Sequence, residues 1–106
     1  IITAPGPNET NDAKNIHAKI ILCEEKTLDI FQLASLIKDS SFVVANDTGP
    51  AHIAAHLGVK GLALFGKHTT AYKVSIERKN FKVIQVEDLN NLGAEKVFKR
   101  LVENLW

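Results

Sequence analysis

The stretch Phe42-Val-Val-Ala-Asn-Asp-Thr-Gly-Pro-Ala-His-Ile-Ala-Ala-His-Leu-Gly58 constrains the fold more than any other part of the chain. Phe42 to Ala45 is apolar at every position, a pattern that suits a strand covered on both faces rather than one with a wet side. Asn46 to Pro50 carries turn residues, and Ala51 to Leu57 reads as a helix that stops at Gly58. A second apolar run, Gly61 to Phe65, follows at once. Two covered strands joined through a helix form a crossover, and crossovers join parallel strands.

The rest of the chain repeats this rhythm. Ile1 to Ala4 is β-rich and ends at the turn cluster Pro5-Gly-Pro-Asn8; a short helix is predicted over Glu9 to Ile16 and a strand over Lys19 to Cys23. From Asp29 the apolar residues Ile30, Leu33, Ala34, Leu36 and Ile37 recur at helical spacing, and Asp39-Ser-Ser41 closes the segment. Gly66 to Asn80 is polar and loop-rich, Phe81 to Val86 is β-like, and Gly93 to Leu105 is helical through Val97, Phe98, Leu101, Val102 and Leu105. The fold expected is α/β, a Rossmann-like parallel sheet with helices on both faces, as one domain over residues 1–106. No repeat, linker or low-complexity tract interrupts it.

Thirteen Lys plus Arg against twelve Asp plus Glu give a net charge of +1, which argues against a nucleic-acid partner and makes any anion site local. The single cysteine, Cys23, has no internal disulfide partner and is expected as a small buried apolar residue in a reducing compartment. No apolar run reaches the ~20 residues that span a bilayer, and the opening Ile1-Ile-Thr-Ala-Pro5 lacks a signal peptide's charged head. Those first residues read as the end of a buried strand, so the chain is expected to be part of something longer.

The turn after Ala45 is the candidate site. Pro50 suits the first turn of a helix, which points to Gly49 as the N-cap, a residue with no side chain to cap with. The N–H groups of Ala51 and His52 are then expected to face an anion, with Gly49 letting it approach and the helix dipole favouring it. A diphosphate fits, at the carboxyl end of a parallel strand where open α/β sheets bind ligands. Asp47 and Thr48 flank that space, and the carboxylate of Asp47 suits sugar hydroxyls. His52, in the first helical turn, can donate to a phosphate or sugar oxygen, while Ile53 and Leu57 are expected to face the core.

Blander readings of the same residues stay open. Asp-Thr-Gly-Pro is equally a strand-to-helix turn in which Asp47 or Thr48 caps the helix. His52 and His56, four apart, fit a metal pair, but no Glu stands between them and no third ligand is evident, so no metal is assigned and His56 is taken as a surface residue. Asp47-Thr48-Gly49 also matches the triplet of aspartic proteases, but those lie in β-rich settings with paired copies, and here a single copy precedes a helix. Lys73, Arg78, Lys79 and Lys82 form a basic group that Glu77 interrupts, which favours a solvated face over an anionic partner.

Asn46 to Gly58, with Leu62-Ala-Leu-Phe-Gly66, closely resembles the C-terminal domain motif of glycosyltransferase family 9, the lipopolysaccharide heptosyltransferases. The resemblance implies part of the C-terminal donor-binding domain of a two-domain GT-B enzyme, with the domain's first strand and the whole N-terminal acceptor domain lying before Ile1. It implies that Asp47, Thr48, Gly49 and His52 hold the sugar and diphosphate of ADP-heptose, that Glu9 binds the ribose hydroxyls, and that Leu28 packs near the adenine. The residue-by-residue reading of Glu9 has its own alternative, an acid in the first turn of a helix. The transfer implied is inverting and needs neither metal nor cofactor. A base from the other domain activates a hydroxyl of the lipopolysaccharide core, so no catalytic residue falls in this chain, which alone is expected to be inactive. The location implied is cytoplasmic, with a peripheral place at the inner face of the inner membrane left open. Lys67-His-Thr-Thr70 departs from the proline and small hydroxyl residues usual after Phe-Gly in the family, which puts that loop's contacts in question. Other readings are transfer of another activated sugar such as an N-acetylhexosamine, hydrolysis as in epimerase-like GT-B relatives, and a degenerate nucleotide-binding domain without activity.

Overall fold

The computed structural model describes residues 1–46, 48–67 and 76–105. The chain groups into two compact units, Ile1–Ser35 and Leu36–Trp106. In both, the sheets are parallel and accompanied by helices, as the apolar strand runs require.

In the first unit, β1 (Ile2–Thr3) pairs in parallel with β2 (Lys19–Ile20), Ile2 opposite Lys19 and Thr3 opposite Ile20. Between them in sequence lies α1 (Thr10–Ala13), which buries Ala13. The helix is shorter than the predicted span to Ile16: the N–H groups of Asn15 and Ile16 already make the tighter bonds to Asp12 and Ala13 carbonyls at 3.1 Å. The strand predicted to reach Cys23 also ends early. Cys23 and Lys26 exchange backbone hydrogen bonds of 2.8 and 2.9 Å across a turn in which Glu24 and Glu25 have φ of 51° and 66°. Two positive φ values in succession mark the primed turn that matches strand twist, here built without glycine. Cys23 is therefore half-buried at a turn, a correction to its expected place in the core.

Helix α2 (Ile30–Lys38) begins with a reciprocal cap. The Gln32 N–H donates to Asp29 Oδ1 at 2.8 Å and the Asp29 N–H to Gln32 Oε1 at 2.9 Å, which satisfies one donor at each side of the helix start. Its stripe is narrower than predicted, since Ile37 is buried but Ile30 is exposed; Phe31, outside that stripe, is 80% exposed. Ser40 closes the segment by donating from Oγ to the Leu36 carbonyl at 2.7 Å.

In the second unit β3 (Val43–Asn46), β4 (Gly61–Phe65) and β5 (Phe81–Gln85) are parallel in the order β3-β4-β5, with Asn46 opposite Leu64 and Phe65 opposite Gln85. Central β4 buries Gly61, Leu62, Ala63 and Phe65. β3 was expected to be covered on both faces; it is an edge strand of this sheet, and Val44 is 46% exposed. Helix α3 (Gly49–His56) packs on β3 and β4, and α4 (Ala94–Leu105) on β4. The periodicity predicted for α4 is realised as a helix, yet Phe98 on its apolar stripe is 66% exposed.

The face that α3 turns to the sheet is alanine: Ala51, Ala54 and Ala55, at the i, i+3, i+4 spacing of one helical stripe, are buried. The expectation that Ile53 and Leu57 face the core is corrected, for Ile53 is half-buried and Leu57 is 47% exposed. Methyl side chains let the helix lie close to the strands, and the bulkier residues point elsewhere. The helix ends as Gly58 predicts. Gly58, at φ 74°, bonds to the Ala55 carbonyl at 3.2 Å and Val59 to that of Ala54 at 3.1 Å, the paired bonds of a Schellman closure.

Candidate donor-phosphate site

β3 delivers the chain to the candidate turn at Asn46; Asp47 lies outside the described residues. Thr48 is extended, with φ −144° and ψ 174°, and is the N-cap of α3. The helix thus starts one residue earlier than predicted, with Gly49 as its first residue and Pro50 as its second. The reason is steric. A proline disfavours helical backbone in the residue before it largely through that residue's Cβ, and Gly49 has none. The Thr48 side chain does not cap the helix either, because its Oγ1 donates to the Asn46 carbonyl at 3.3 Å.

This shift changes which amides face outward. The Thr48 carbonyl accepts from the Ala51 N–H at 3.1 Å and from the His52 N–H at 3.4 Å. The expectation that both were available to an anion is therefore corrected. Pro50 has no N–H, and the Gly49 N–H is the first-turn donor with no acceptor among the described residues. A Cβ placed on Gly49 would meet nothing within 4 Å, so the backbone here borders open space.

The structure brings Thr48, Gly49 and His52 together in one helical turn, with Thr48 and Gly49 exposed and His52 half-buried. The His52 carbonyl is engaged by His56, whose Nδ1 lies 2.8 Å away; a carbonyl only accepts, so Nδ1 carries the proton and Nε2 is the other ring nitrogen. His56 is exposed in the last turn. Among the described residues no group of three or more His, Cys, Asp or Glu is placed to hold a metal ion.

Next along the sheet edge, the chain leaves β4 through Gly66 and Lys67. Gln85 at the end of β5 donates from Nε2 to the Gly66 carbonyl at 3.0 Å, and the Val86 N–H donates to the Phe65 carbonyl at 3.0 Å. Gly66 is half-buried and Lys67 exposed. Sequence reasoning passed over Gln85, whose only signal is a long polar side chain closing an apolar strand. His68, Thr69, Thr70 and Lys73 lie outside the described residues.

Glu9 and Leu28 belong to the first unit. Glu9 is the N-cap of α1 and exposed, and its Oε1 accepts from the Gly6 N–H at 3.2 Å while its own N–H donates to the Gly6 carbonyl at 3.0 Å. A Cβ on Gly6 would stand 2.5 Å from that carboxylate oxygen, so glycine at this position is what lets the side chain fold back. Leu28 is half-buried, directly before the Asp29 cap.

A parallel sheet whose helix start borders open space at the carboxyl end of a strand is the layout of the nucleotide-binding α/β proteins. Residues 8–101 match the sequence profile of glycosyltransferase family 9 (heptosyltransferase), and the chain belongs to that family. The family's chemistry is glycosyl transfer from a nucleotide-sugar donor to an acceptor. Neither the curated proteins nor the solved structures yielded a match. Among the described residues no helix is long and apolar enough to cross a membrane.

Proposed function

We propose that residues 1–106 form one nucleotide-sugar-binding domain, the donor half of an enzyme that transfers heptose from ADP-heptose to the lipopolysaccharide inner core at the cytoplasmic side of the inner membrane. The observation that carries this reading is the turn at Thr48 and Gly49, open to solvent at the end of β3, in a chain of this family. Asp47 and Thr48 take the sugar hydroxyls, the Gly49 N–H and the His52 imidazole the diphosphate, Glu9 the ribose and Leu28 the adenine, the last two on resemblance alone. An acceptor hydroxyl, deprotonated by a base from another domain, attacks the anomeric carbon; the glycosidic bond breaks and ADP leaves with its electrons. This chain steadies the charge gathering on ADP and holds no catalytic base, so it has no turnover alone.

One observation favours a second reading. The amides of Ala51 and His52 are already bonded to Thr48, as they would be in a domain that keeps the fold and holds no donor. Calorimetric titration with ADP and with ADP-heptose separates the two: the donor reading expects saturable binding of both, weakened by H52A, whereas heats that never saturate with either compound support the second. Binding of ADP with equal affinity for ADP-heptose and other ADP-sugars would remove the heptose assignment and keep the nucleotide.

A further inference from the structure

We propose that Lys67 is a binding residue for the donor's diphosphate, supplying the cationic charge that the start of α3 lacks; this rests on the donor reading above. A nucleotide diphosphate presents several charged oxygens, and with the Ala51 and His52 amides bonded to Thr48 the first turn offers it the Gly49 N–H and the His52 ring, with no Lys or Arg among its residues. Charge has to come from a neighbouring element.

The sheet register identifies which one. β3 and β4 are adjacent and parallel, and Asn46 stands opposite Leu64, so the chain leaves both strands at the same edge, strands that lie about 4.8 Å apart. Gly49 is the third residue beyond Asn46, and Lys67 is the third beyond Leu64. The hydrogen bond from Gln85 to the Gly66 carbonyl ties the root of this second loop to β5 and fixes where Lys67 departs. Lys67 is exposed, on a flexible four-carbon stem that carries a point charge. Among the described residues of the segments leaving the carboxyl ends of β3, β4 and β5, it is the one cation; the segment after β5 carries Glu87 and Asp88 instead.

The test compares ADP with adenosine, which shares the nucleoside and lacks the phosphates, by calorimetry on the wild-type chain, K67A and K67R. The result expected is that K67A binds ADP about tenfold more weakly, with a shallower dependence on salt, while adenosine binding is unchanged and K67R keeps most of the affinity. A circular dichroism spectrum of K67A matching the wild type assigns the loss to the side chain. Should wild type and K67A bind ADP equally at every salt concentration, the role of Lys67 is refuted and the donor reading stands. Should the wild type bind no ADP, both fall together.

Discussion

Gly61 and Phe81 face each other across the β4–β5 pair, and the ring of Phe81 occupies the space where any other residue at 61 would put its Cβ. A Cβ there would collide with the ring and stand 2.7 Å from the Val43 carbonyl oxygen on the other side. Phe81 is fully buried, so the ring has nowhere to go. G61A is therefore expected to destabilise the chain by ~1–3 kcal/mol, the usual cost of overpacking a core. Urea denaturation measures it, and the double variant G61A/F81L should recover part of the loss. An unchanged midpoint for G61A would contradict the packing described.

Gly49 gives the opposite prediction for stability. Its Cβ position is empty, so G49A fits sterically, and the expected penalty is below ~1 kcal/mol, from placing a residue with a Cβ in helical backbone before Pro50. Under the donor reading the added methyl group stands where the diphosphate comes closest, and ADP affinity should fall by about tenfold or more. Thermal melts and calorimetry on the same preparation check both halves; a folded G49A that binds ADP as tightly as wild type removes Gly49 from the site.

The Asp29–Gln32 cap is a purely structural prediction. D29A removes the acceptor for the Gln32 N–H and should cost about 1 kcal/mol, with Q32A costing less because the Asp29 N–H is exposed and water can replace the amide oxygen. Equilibrium unfolding of the two single variants and the double variant gives the coupling between them, which should be a sizeable part of the whole.

Glu9 can be tested without replacing it. G6A displaces the carboxylate that now folds back on the Gly6 N–H, so if Glu9 holds ribose hydroxyls, G6A and E9A should reduce the preference for ADP over 2′-deoxy-ADP alike. A preference retained in both variants would leave Glu9 as a helix cap and nothing more.

The alternation of strands and helices could be read from the chain because β4 is apolar throughout and β3 is apolar up to Asn46, while β5 keeps Phe81, Val83 and Ile84 apolar, and pattern reports such burial well. The end of α3 was equally legible, since Gly58 provides the positive φ that a Schellman closure needs. Its beginning was not. The presence of Pro50 suggested a cap at Gly49, but glycine is the residue that escapes the restriction proline imposes, and the helix gained a residue. The alanine face was missed for a related reason: hydrophobicity ranks Ile53 and Leu57 above Ala51 and Ala54, whereas distance from the sheet decided which residues went inside. The bend at Cys23 to Lys26 carries no Asn or Gly to announce it, and the bond from Gln85 to Gly66 joins residues that share no local pattern. The candidate turn was found from sequence as a location, while the disposition of its amides came from the backbone geometry.

The alanines on the buried face of α3 make the candidate turn hostage to the interior. Because the buried stripe of this helix, which packs on β3 and β4, is alanine, a branched side chain at Ala54 would push the helix off the sheet and shift the Thr48–Gly49 corner that it carries. Under the donor reading, affinity would then respond to changes hidden in the interior, and screens confined to surface residues would overlook them.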